Sequence, residues 1–435
     1  MKKLFAFILC AAAVLSMAGC VAAPGEISPQ ETTEETVSPF AGVVADPVTW
    51  LAEFESLPIA NENMSTDELR QLCADAFKAN MTFQWTPNQP ISYTYTILGK
   101  PKGEVYLPTG IAYSGLCYCT GKSSGTIYKV LKYYDRETGV VDVAAMGDKM
   151  LGILSSACAL GAQTAWNRVS NSHNLQTMGT YNRFSANILP VGPYAYEIYD
   201  YNYDFGSLEA TTQIIERNGK ETMYESFAQM LVADGLYSSP SWHVMMCSSV
   251  PVVVRDGEGK IDPEQSYVLV HEQRANGTQS DKYNTPQSNG VDLRPLGTVD
   301  RKYTFKKLLD KGYIPFTLKE FVGLDPVEPG EAWLGSEQER LEKGADMTLQ
   351  QLEKQTLYTN YVLCVVEVEV HDPNGEVLLS YDPALQTRPV TYSVPVQAAL
   401  DMELLGGYAD GKNTIHIYAR LANGERLEAF STILK

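Results

Sequence analysis

Residues 154–168, LSSACALGAQTAWNR, organise our interpretation of this chain, because one cysteine stands there at the predicted start of a helix. Small and apolar residues recur three and four positions apart after Cys158, so one face of the helix can pack closely against a sheet. Ser155 and Ser156 favour the N-cap position, which predicts Cys158 in the first turn. There the unpaired backbone N–H groups and the helix dipole favour a thiolate, the nucleophilic form of cysteine. The position suits a catalytic cysteine, and a small buried core residue is the alternative.

Two strands predicted further along the chain, at residues 242–254 and 266–273, carry polar side chains at neighbouring ends. The turn-forming segment RDGEGK separates them, so the sequence predicts a β-hairpin. His243 stands at the beginning of the first strand and Glu272 at the end of the second. Because the strands of a hairpin are antiparallel, we expect these two ends to lie side by side.

Cys158, His243 and Glu272 follow the order of groups that a thiol hydrolase needs. The thiolate of Cys158 would attack a carbonyl carbon, and His243 would accept the thiol proton and later protonate the leaving amine. Glu272 is the first candidate for the third group, which orients the imidazole, and His271 and Gln273 are the alternatives. Alternation along a strand puts Glu272 on the face opposite to the other two, so the choice depends on the strand register.

The order of these motifs resembles the NlpC-type papain-like cell-wall hydrolases. A glycine-flanked tyrosine loop, GIAYSG at residues 110–115, precedes the Cys158 helix, and His243 begins a later strand. The resemblance covers residues 100–275 and implies an α+β fold with a papain-like NlpC-type catalytic domain. It also implies cleavage of amide bonds in peptidoglycan stem peptides, with Tyr113 as a substrate-binding residue.

The residues around the cysteine depart from the family pattern. The family has Asp-Cys-Ser-Gly where this chain has Ala157, Cys158, Ala159 and Leu160. Two other interpretations therefore stay open. One is a catalytically degenerate surface lipoprotein that binds a peptide or glycan, and the other is an acyltransferase or lipid amidase with the same papain-like site. His173, in the segment after the helix, is a rival base.

The N-terminus has the pattern of a bacterial lipoprotein signal. Lys2 and Lys3 precede an apolar run at residues 4–17, and Ala-Gly-Cys follows at residues 18–20. This ending resembles a lipobox, which implies a signal peptide over residues 1–19 and a lipid anchor on Cys20. The apolar run is shorter than the ~20 residues of a spanning helix. We therefore expect an extracytoplasmic protein, anchored to the cell membrane without spanning it.

Composition divides the rest of the chain into three parts. Residues 20–46 are rich in Pro, Ser, Thr and Glu without apolar periodicity, which predicts an acidic flexible linker after the lipidated cysteine. Residues 47–325 form the predicted NlpC-like domain, which ends in the proline- and glutamate-rich segment LDPVEPGE. Residues 326–435 hold several short predicted strands separated by turns, which predicts a small C-terminal β-sandwich.

Local patterns predict further elements. The segment Ser65-Thr-Asp-Glu68 has the form of a capping box and predicts a helix start. Residues 302–321 predict two helical pieces that a Gly-Tyr-Ile-Pro segment connects.

Charge and cysteine usage limit the partners. The formal net charge is −18 and no basic stripe is present, which argues against binding to a nucleic acid. Cys117 and Cys119 are two possible metal ligands without a paired Cys or His motif elsewhere, so we expect no metal and no cofactor. The expected partners are a cell-wall peptide substrate and the membrane, through the lipid anchor at Cys20.

Overall fold

A computed structural model describes residues 47–97, 100–119, 126–172, 187–196, 210–274, 294–344, 346–383 and 391–435. The predicted signal peptide, the linker with Cys20, and the rival base His173 lie outside the described residues. The chain mixes helices with strands, and the strands form several small sheets, so the predicted α+β class is confirmed. No helix in the described ranges is long and apolar enough to cross a membrane.

The helices are mostly short, and the longest begins where the sequence predicts. The Ser65 hydroxyl accepts a hydrogen bond from the backbone N–H of Glu68 (3.3 Å), and the Glu68 carboxylate accepts one from the backbone N–H of Ser65 (2.7 Å). The α-helices are α1 (Pro47–Glu55), α2 (Thr66–Thr82), α3 (Ile127–Leu131), α4 (Val143–Met146), α5 (Met150–Leu154), α6 (Cys158–Trp166), α7 (Ala210–Asn218), α8 (Lys220–Phe227), α9 (Phe305–Asp310), α10 (Leu349–Glu353), α11 (Val396–Ala399) and α12 (Met402–Gly406). Short 3₁₀ turns lie at Gly147–Lys149 and Glu320–Val322.

The strands supply the frame that holds these helices. They are β1 (Gln84–Pro87), β2 (Ile91–Ile97), β3 (Lys100–Leu107), β4 (Tyr113–Ser114), β5 (Cys117–Tyr118), β6 (Val140–Val141), β7 (Ser155–Ser156), β8 (Ile188–Pro190), β9 (Gly235–Ser238), β10 (His243–Cys247), β11 (Tyr267–Glu272), β12 (Arg294–Pro295), β13 (Thr298–Thr304), β14 (Tyr313–Leu318), β15 (Ala332–Gly335), β16 (Thr356–Thr359), β17 (Leu363–His371), β18 (Val377–Tyr381), β19 (Ser393–Pro395), β20 (Thr414–Leu421) and β21 (Arg426–Ile433).

A six-stranded antiparallel sheet, in the order β13-β11-β10-β9-β14-β8, carries the predicted base. Helix α6 packs on β10 and on α2. Gly161 permits this approach, because a Cβ atom there would lie 2.8 Å from Cε2 of Phe77. At the C-terminal end of α6, the indole N–H of Trp166 donates a hydrogen bond to the carbonyl of Ala233 (2.9 Å). The helix is therefore packed closely on α2 at Gly161 and tied by Trp166 to the segment before β9.

A second core lies beside this sheet, around residues such as Phe83, Trp85 and Tyr113. It is covered by the sheet β12-β4-β1-β6, by the hairpin β2-β3 and by the small parallel pair β5-β7. The pair β5-β7 joins the tyrosine loop to the chain just before α6.

Two antiparallel sheets share one apolar core in the C-terminal part of the chain. The sheet β15-β16-β19 contributes Leu334 and Leu357, and the sheet β18-β17-β20-β21 contributes Val366 and Ile417. Every second residue of β20 is buried, as expected for a strand with one face in a core and one towards solvent.

The predicted N-cap of α6 is wrong. Helix α6 begins with Ala157 as the N-cap and without a side-chain cap, while Ser155 and Ser156 form β7. Their backbone pairs with Cys117 and Tyr118, and the Ser155 hydroxyl donates to the carbonyl of Leu151 instead of capping the helix. Tertiary pairing therefore overrides the local capping preference.

The helical prediction for residues 302–321 is wrong in part. The chain forms a strand to Thr304, the short helix α9, and then the buried strand β14. Gly312, at φ 71°, turns the chain after the helix, and the apolar segment that follows pairs between β9 and β8. The first hairpin strand is also shorter than predicted, since it ends at Cys247.

Candidate active site

His243 and Glu272 form a buried pair on adjacent strands. Nε2 of His243 lies 3.0 Å from Oε2 of Glu272, and the two side chains are 8% and 0% exposed. Strands β10 and β11 are antiparallel, so the start of one meets the end of the other. Because Nε2 contacts the carboxylate, Nδ1 is the ring nitrogen left to exchange a proton with another group.

Cys158 is the first residue of α6 and lies against the strand that carries this histidine. Its Sγ is 3.8 Å from the carbonyl oxygen of Trp242, the residue before His243. The residue is 2% exposed. The site's sulfur, imidazole and carboxylate thus come from three neighbouring elements, α6, β10 and β11.

Glu272 contacts two arginines and a tyrosine in addition to His243. Arg301 donates a hydrogen bond to Oε1, and Nη1 of Arg274 lies 3.7 Å from the same oxygen. The hydroxyl of Tyr303 donates to Oε2 at 3.3 Å. Burial by itself would raise the pKa of this carboxyl, but the hydrogen bond and charge of His243, with the two arginines, lower it to about 2. Glu272 is therefore an ionised partner for the imidazole over the whole range in which enzymes work.

The sequence did not single out Arg274, Arg301 or Tyr303. Arg301 and Tyr303 lie on β13, which pairs with β11 through a register irregularity between Val270 and Glu272. Arg274, two residues after Glu272, was the one signal in the sequence, and the irregular pairing of β11 with β13, the strand of Arg301, could not be read from the pattern.

The two alternatives to Glu272 have other partners. Nδ1 of His271 accepts a hydrogen bond from the backbone N–H of Asp300 (3.3 Å), and burial lowers the pKa of His271 to about 4. The amide of Gln273 donates to the carbonyl of Leu116 (2.8 Å). Of the three neighbours considered, Glu272 is the one whose side chain meets His243.

Tyr113 lies in the second core. It is fully buried, its ring centroid is 5.1 Å from that of Trp85, and its hydroxyl donates to the carbonyl of Pro108 (3.3 Å). These contacts are those of a packed core residue, whereas His243 and Glu272 lie on adjacent interior strands of the six-stranded sheet. The structure therefore brings His243 and Glu272 into contact and places Cys158 against Trp242, the residue before His243, while Tyr113 lies in another core.

Trp242 has an unusual backbone at this site. Its φ is 45°, in the left-handed region that bulky residues rarely occupy. Its indole Nε1 is buried and finds no hydrogen-bond partner in the part of the chain that the structure describes. Strained backbone of this kind is concentrated at functional sites in proteins.

The other cysteines of the described residues do not form a second site. Cys73, Cys117, Cys119, Cys247 and Cys364 are buried and form no disulfide. Burial raises the pKa of Cys117 to about 12, so this thiol stays protonated. Within the described ranges, no group of three or more His, Cys, Asp or Glu side chains could hold a metal ion.

No protein-family model and no curated protein matches the chain. Among solved structures, CopC from Methylosinus trichosporium OB3b is 10% identical, covers 24% of this chain and 94% of its own, and has a TM-score of 0.16. A crystal structure of an engineered protein is 14% identical, covers 33% of this chain and 30% of its own, and has a TM-score of 0.15. Similarity at this level carries no argument about fold or function.

Proposed function

We propose that this chain is a thiol hydrolase that cleaves amide bonds, with Cys158 as the nucleophile, His243 as the base and Glu272 as the group that orients it. The observation that carries the proposal is the buried His243–Glu272 pair, whose histidine lies on a strand packed against the helix that begins with Cys158. The proposed substrate is a peptidoglycan stem peptide, and the proposed location is the outer side of the cell membrane, through a lipid on Cys20. These two points rest on the motif resemblance and on the N-terminal pattern.

The proposed proton path runs from Cys158 to His243 and from His243 to the leaving group. The thiol of Cys158 passes its proton to His243, and Glu272 stabilises the imidazolium through Nε2. The thiolate attacks the amide carbon, and first-turn N–H groups of α6 favour the negative charge that develops on the carbonyl oxygen. His243 then protonates the leaving amine. It next takes a proton from the water that hydrolyses the thioester, and the thiol is restored.

This chemistry belongs to the reduced protein. The first step needs Cys158 as a thiolate, which a cysteine in a disulfide cannot supply. Assays of the proposal therefore need a reductant that keeps Cys158 as a thiol.

The test that needs no substrate is the pH dependence of alkylation at Cys158 in the reduced protein. We expect Cys158 to react at a pH well below the ordinary thiol pKa of about 8.5, and to lose this advantage in His243→Ala. His416→Ala is the matched control, because His416 pairs with a glutamate in the C-terminal sheet. Peptide mass spectrometry reads the modified cysteine. Equal profiles in wild type and His243→Ala would remove the base from the proposal.

Turnover gives the second test. We expect Cys158→Ala to abolish release of amines from wall-peptide digests, whereas Cys364→Ala, a buried thiol in another core, keeps it. Unchanged turnover in Cys158→Ala, with the fold intact by circular dichroism, would exclude Cys158 as the nucleophile.

One observation favours a second candidate function, a surface lipoprotein that binds a peptide or glycan without cleaving it. Cys158 is only 2% exposed, whereas reactive cysteines are partly accessible. In that case the reduced thiol reacts like an ordinary one, and binding of wall fragments survives Cys158→Ala. Titration calorimetry on that variant measures the binding, and the alkylation profile of Cys158 together with turnover by the wild type separates the two functions, because a hydrolase without its nucleophile also binds its substrate.

A further inference from the structure

A cavity of about 340 Å³ lies at the opposite end of α6 from Cys158. Tyr128 and Arg168 line it on one side, and Glu367, Arg420 and Gly424 line it from the C-terminal sheets. This volume falls in the range of small-ligand sites, about 300–1,000 Å³. Arg168 follows the last residue of α6, whereas Cys158 is its first residue, so the cavity and the thiol lie at opposite ends of the helix.

Arg168 is the cavity's unusual group. The residue is 3% exposed, and its guanidinium lies over the rings of Phe54 (5.5 Å) and Tyr128 (5.6 Å). Nη1 donates one hydrogen bond, to the carbonyl of Asn423 (3.2 Å). No carboxylate of the described residues lies within ion-pair distance of this guanidinium, although the structure pairs many of the chain's other arginines with one. Within the described residues, one of the five N–H groups of this buried cation has a hydrogen-bond partner, which is an incomplete arrangement.

The other arginines of the cavity are already paired. Arg136 contacts Glu55 at 2.8 Å, and Arg420 contacts Glu367 at 3.1 Å. Among the three arginines of the cavity, the difference singles out Arg168 as the one without a carboxylate partner in the described residues. An oxyanion of a ligand is the partner that a guanidinium accepts best, through two parallel hydrogen bonds.

The charge of the wall limits what that ligand can be. Four cations and three carboxylates line the cavity, which leaves one net positive charge. They are Lys132, Arg136, Arg168 and Arg420, and Glu55, Glu367 and Asp382. A single negative charge balances this wall, whereas a doubly charged phosphate would face the three carboxylates with an excess charge. Leu57, Leu131 and Val365 add an apolar part to the wall.

We propose that this cavity binds the carboxylate of a small organic acid, with Arg168 as its charged partner and the Tyr128 ring and aliphatic wall against its apolar body. The site does not depend on the thiol chemistry. The turn at Gly424 completes it, because a Cβ atom there would lie 2.5 Å from Nη1 of Arg168. The C-terminal sheets thereby supply part of a binding site.

Titration calorimetry of the full chain tests the proposal with acetate, benzoate and N-acetylalanine as probes. We expect at least one of these acids to bind with 1:1 stoichiometry, and benzamide, the neutral analogue of benzoate, not to bind. Inorganic phosphate should bind at least tenfold more weakly than the best acid. Arg168→Gln should raise the Kd of that acid at least tenfold, and Arg255→Gln, which removes an exposed arginine outside the cavity, should leave it within threefold.

Three results would overturn the proposal. They are the absence of binding by all three acids at 10 mM, equal binding of benzoate and benzamide, and unchanged affinity in Arg168→Gln. If that variant does not fold, Arg168→Lys replaces it: it keeps the charge but loses the two-pronged contact, so the expected affinity is intermediate. If Arg168→Lys binds the acid with the same Kd as the wild type, the result counts against the site. An Arg168 that serves only to hold the turn at Asn423 gives no acid binding in the wild type.

Discussion

The chain pairs histidine with glutamate in two regions, and the contrast between them shows what makes such a pair a candidate for catalysis. In the six-stranded sheet, His243 and Glu272 are 3.0 Å apart. In the C-terminal sheet, His371 and Glu369 are 2.9 Å apart, and His416 and Glu428 are 3.3 Å apart. Distance therefore does not distinguish the pairs.

Their surroundings do distinguish them. The side chains of the C-terminal pairs are 21–32% exposed, and the rings of His371 and His416 lie 4.5 Å from each other. The pair at Glu272 is buried, with arginines behind the carboxylate and the start of α6 beside the imidazole. A desolvated carboxylate with fixed partners can hold one tautomer of an imidazole, while a half-exposed one exchanges its partners with water.

The largest effect that would sharpen this contrast is expected from Glu272→Gln. The amide keeps the shape but loses the charge that orients His243 and faces Arg301, so activity should fall about 10²- to 10⁴-fold. The free energy of unfolding should fall by about 3 kcal/mol, because a buried pair is broken. Urea denaturation and kcat/KM measure the two losses. Equal losses in Glu428→Gln would break the contrast between the regions.

Packing of α6 gives the next effect. Gly161→Ala places a methyl group 2.8 Å from Phe77 and should lower the free energy of unfolding by about 1–3 kcal/mol. Gly406→Ala, in a C-terminal helix with its nearest neighbour at 3.7 Å, should be neutral or stabilising by about 0.5 kcal/mol. Thermal denaturation of both variants is the measurement. A stable Gly161→Ala would show that α6 can move away from α2 at little cost.

Acid should act first on the six-stranded sheet. The folded pKa of His271 is lowered from 6.5 to about 4, so its contribution to stability is present above pH 6.5 and is lost as the pH falls to 4. The pKa of Glu272 is lowered from 4.5 to about 2, so its contribution is lost between pH 4.5 and 2. Each group changes the free energy of unfolding by at most about 1.4 kcal/mol per pH unit. Denaturation at pH 7, 5.5 and 4 gives the free energy of unfolding at each pH. This free energy should depend less on pH in His271→Gln than in the wild type, and an equal dependence contradicts the assignment.

The smallest effect is expected in the C-terminal sheet. Glu369→Gln removes one partner each from His371 and Arg426, both of which are partly exposed, and should cost less than about 1 kcal/mol. Activity should stay at the wild-type level. A loss comparable to that of Glu272→Gln, measured by the same urea denaturation, would mean that exposure is a poor guide to the role of these pairs.

Periodicity and caps predicted much of this fold, because they record local physics. The helix start at Ser65 needs only neighbours within one turn, and both of its hydrogen bonds are present. Strand alternation likewise predicted the C-terminal strands, since β20 buries every second residue. The prediction failed at Ser155 and Ser156, where pairing with Cys117 and Tyr118, almost forty residues earlier, outweighs capping.

The candidate site was predictable in its residue types but not in its electrostatics. The hairpin order placed His243 near residues 271–273, and the side chain that meets it depends on the strand register. Arg301 reaches Glu272 from a third strand across a register irregularity, which no local pattern encodes. The pairing of strands that are distant in sequence therefore decides which charged groups surround Glu272.

The left-handed backbone of Trp242 has a consequence for protein engineering. A non-glycine residue in this conformation costs of the order of 1–3 kcal/mol, so a stabilisation campaign would choose the position for Gly or Asn. The carbonyl of the same residue lies 3.8 Å from the Cys158 sulfur, and the residue directly precedes His243, the first residue of β10. A glycine would relax the backbone and also free it to move. Selection for heat resistance alone would therefore be expected to loosen the part of the chain that aligns sulfur and imidazole, and variants at this position should be ranked by activity as well as by Tm.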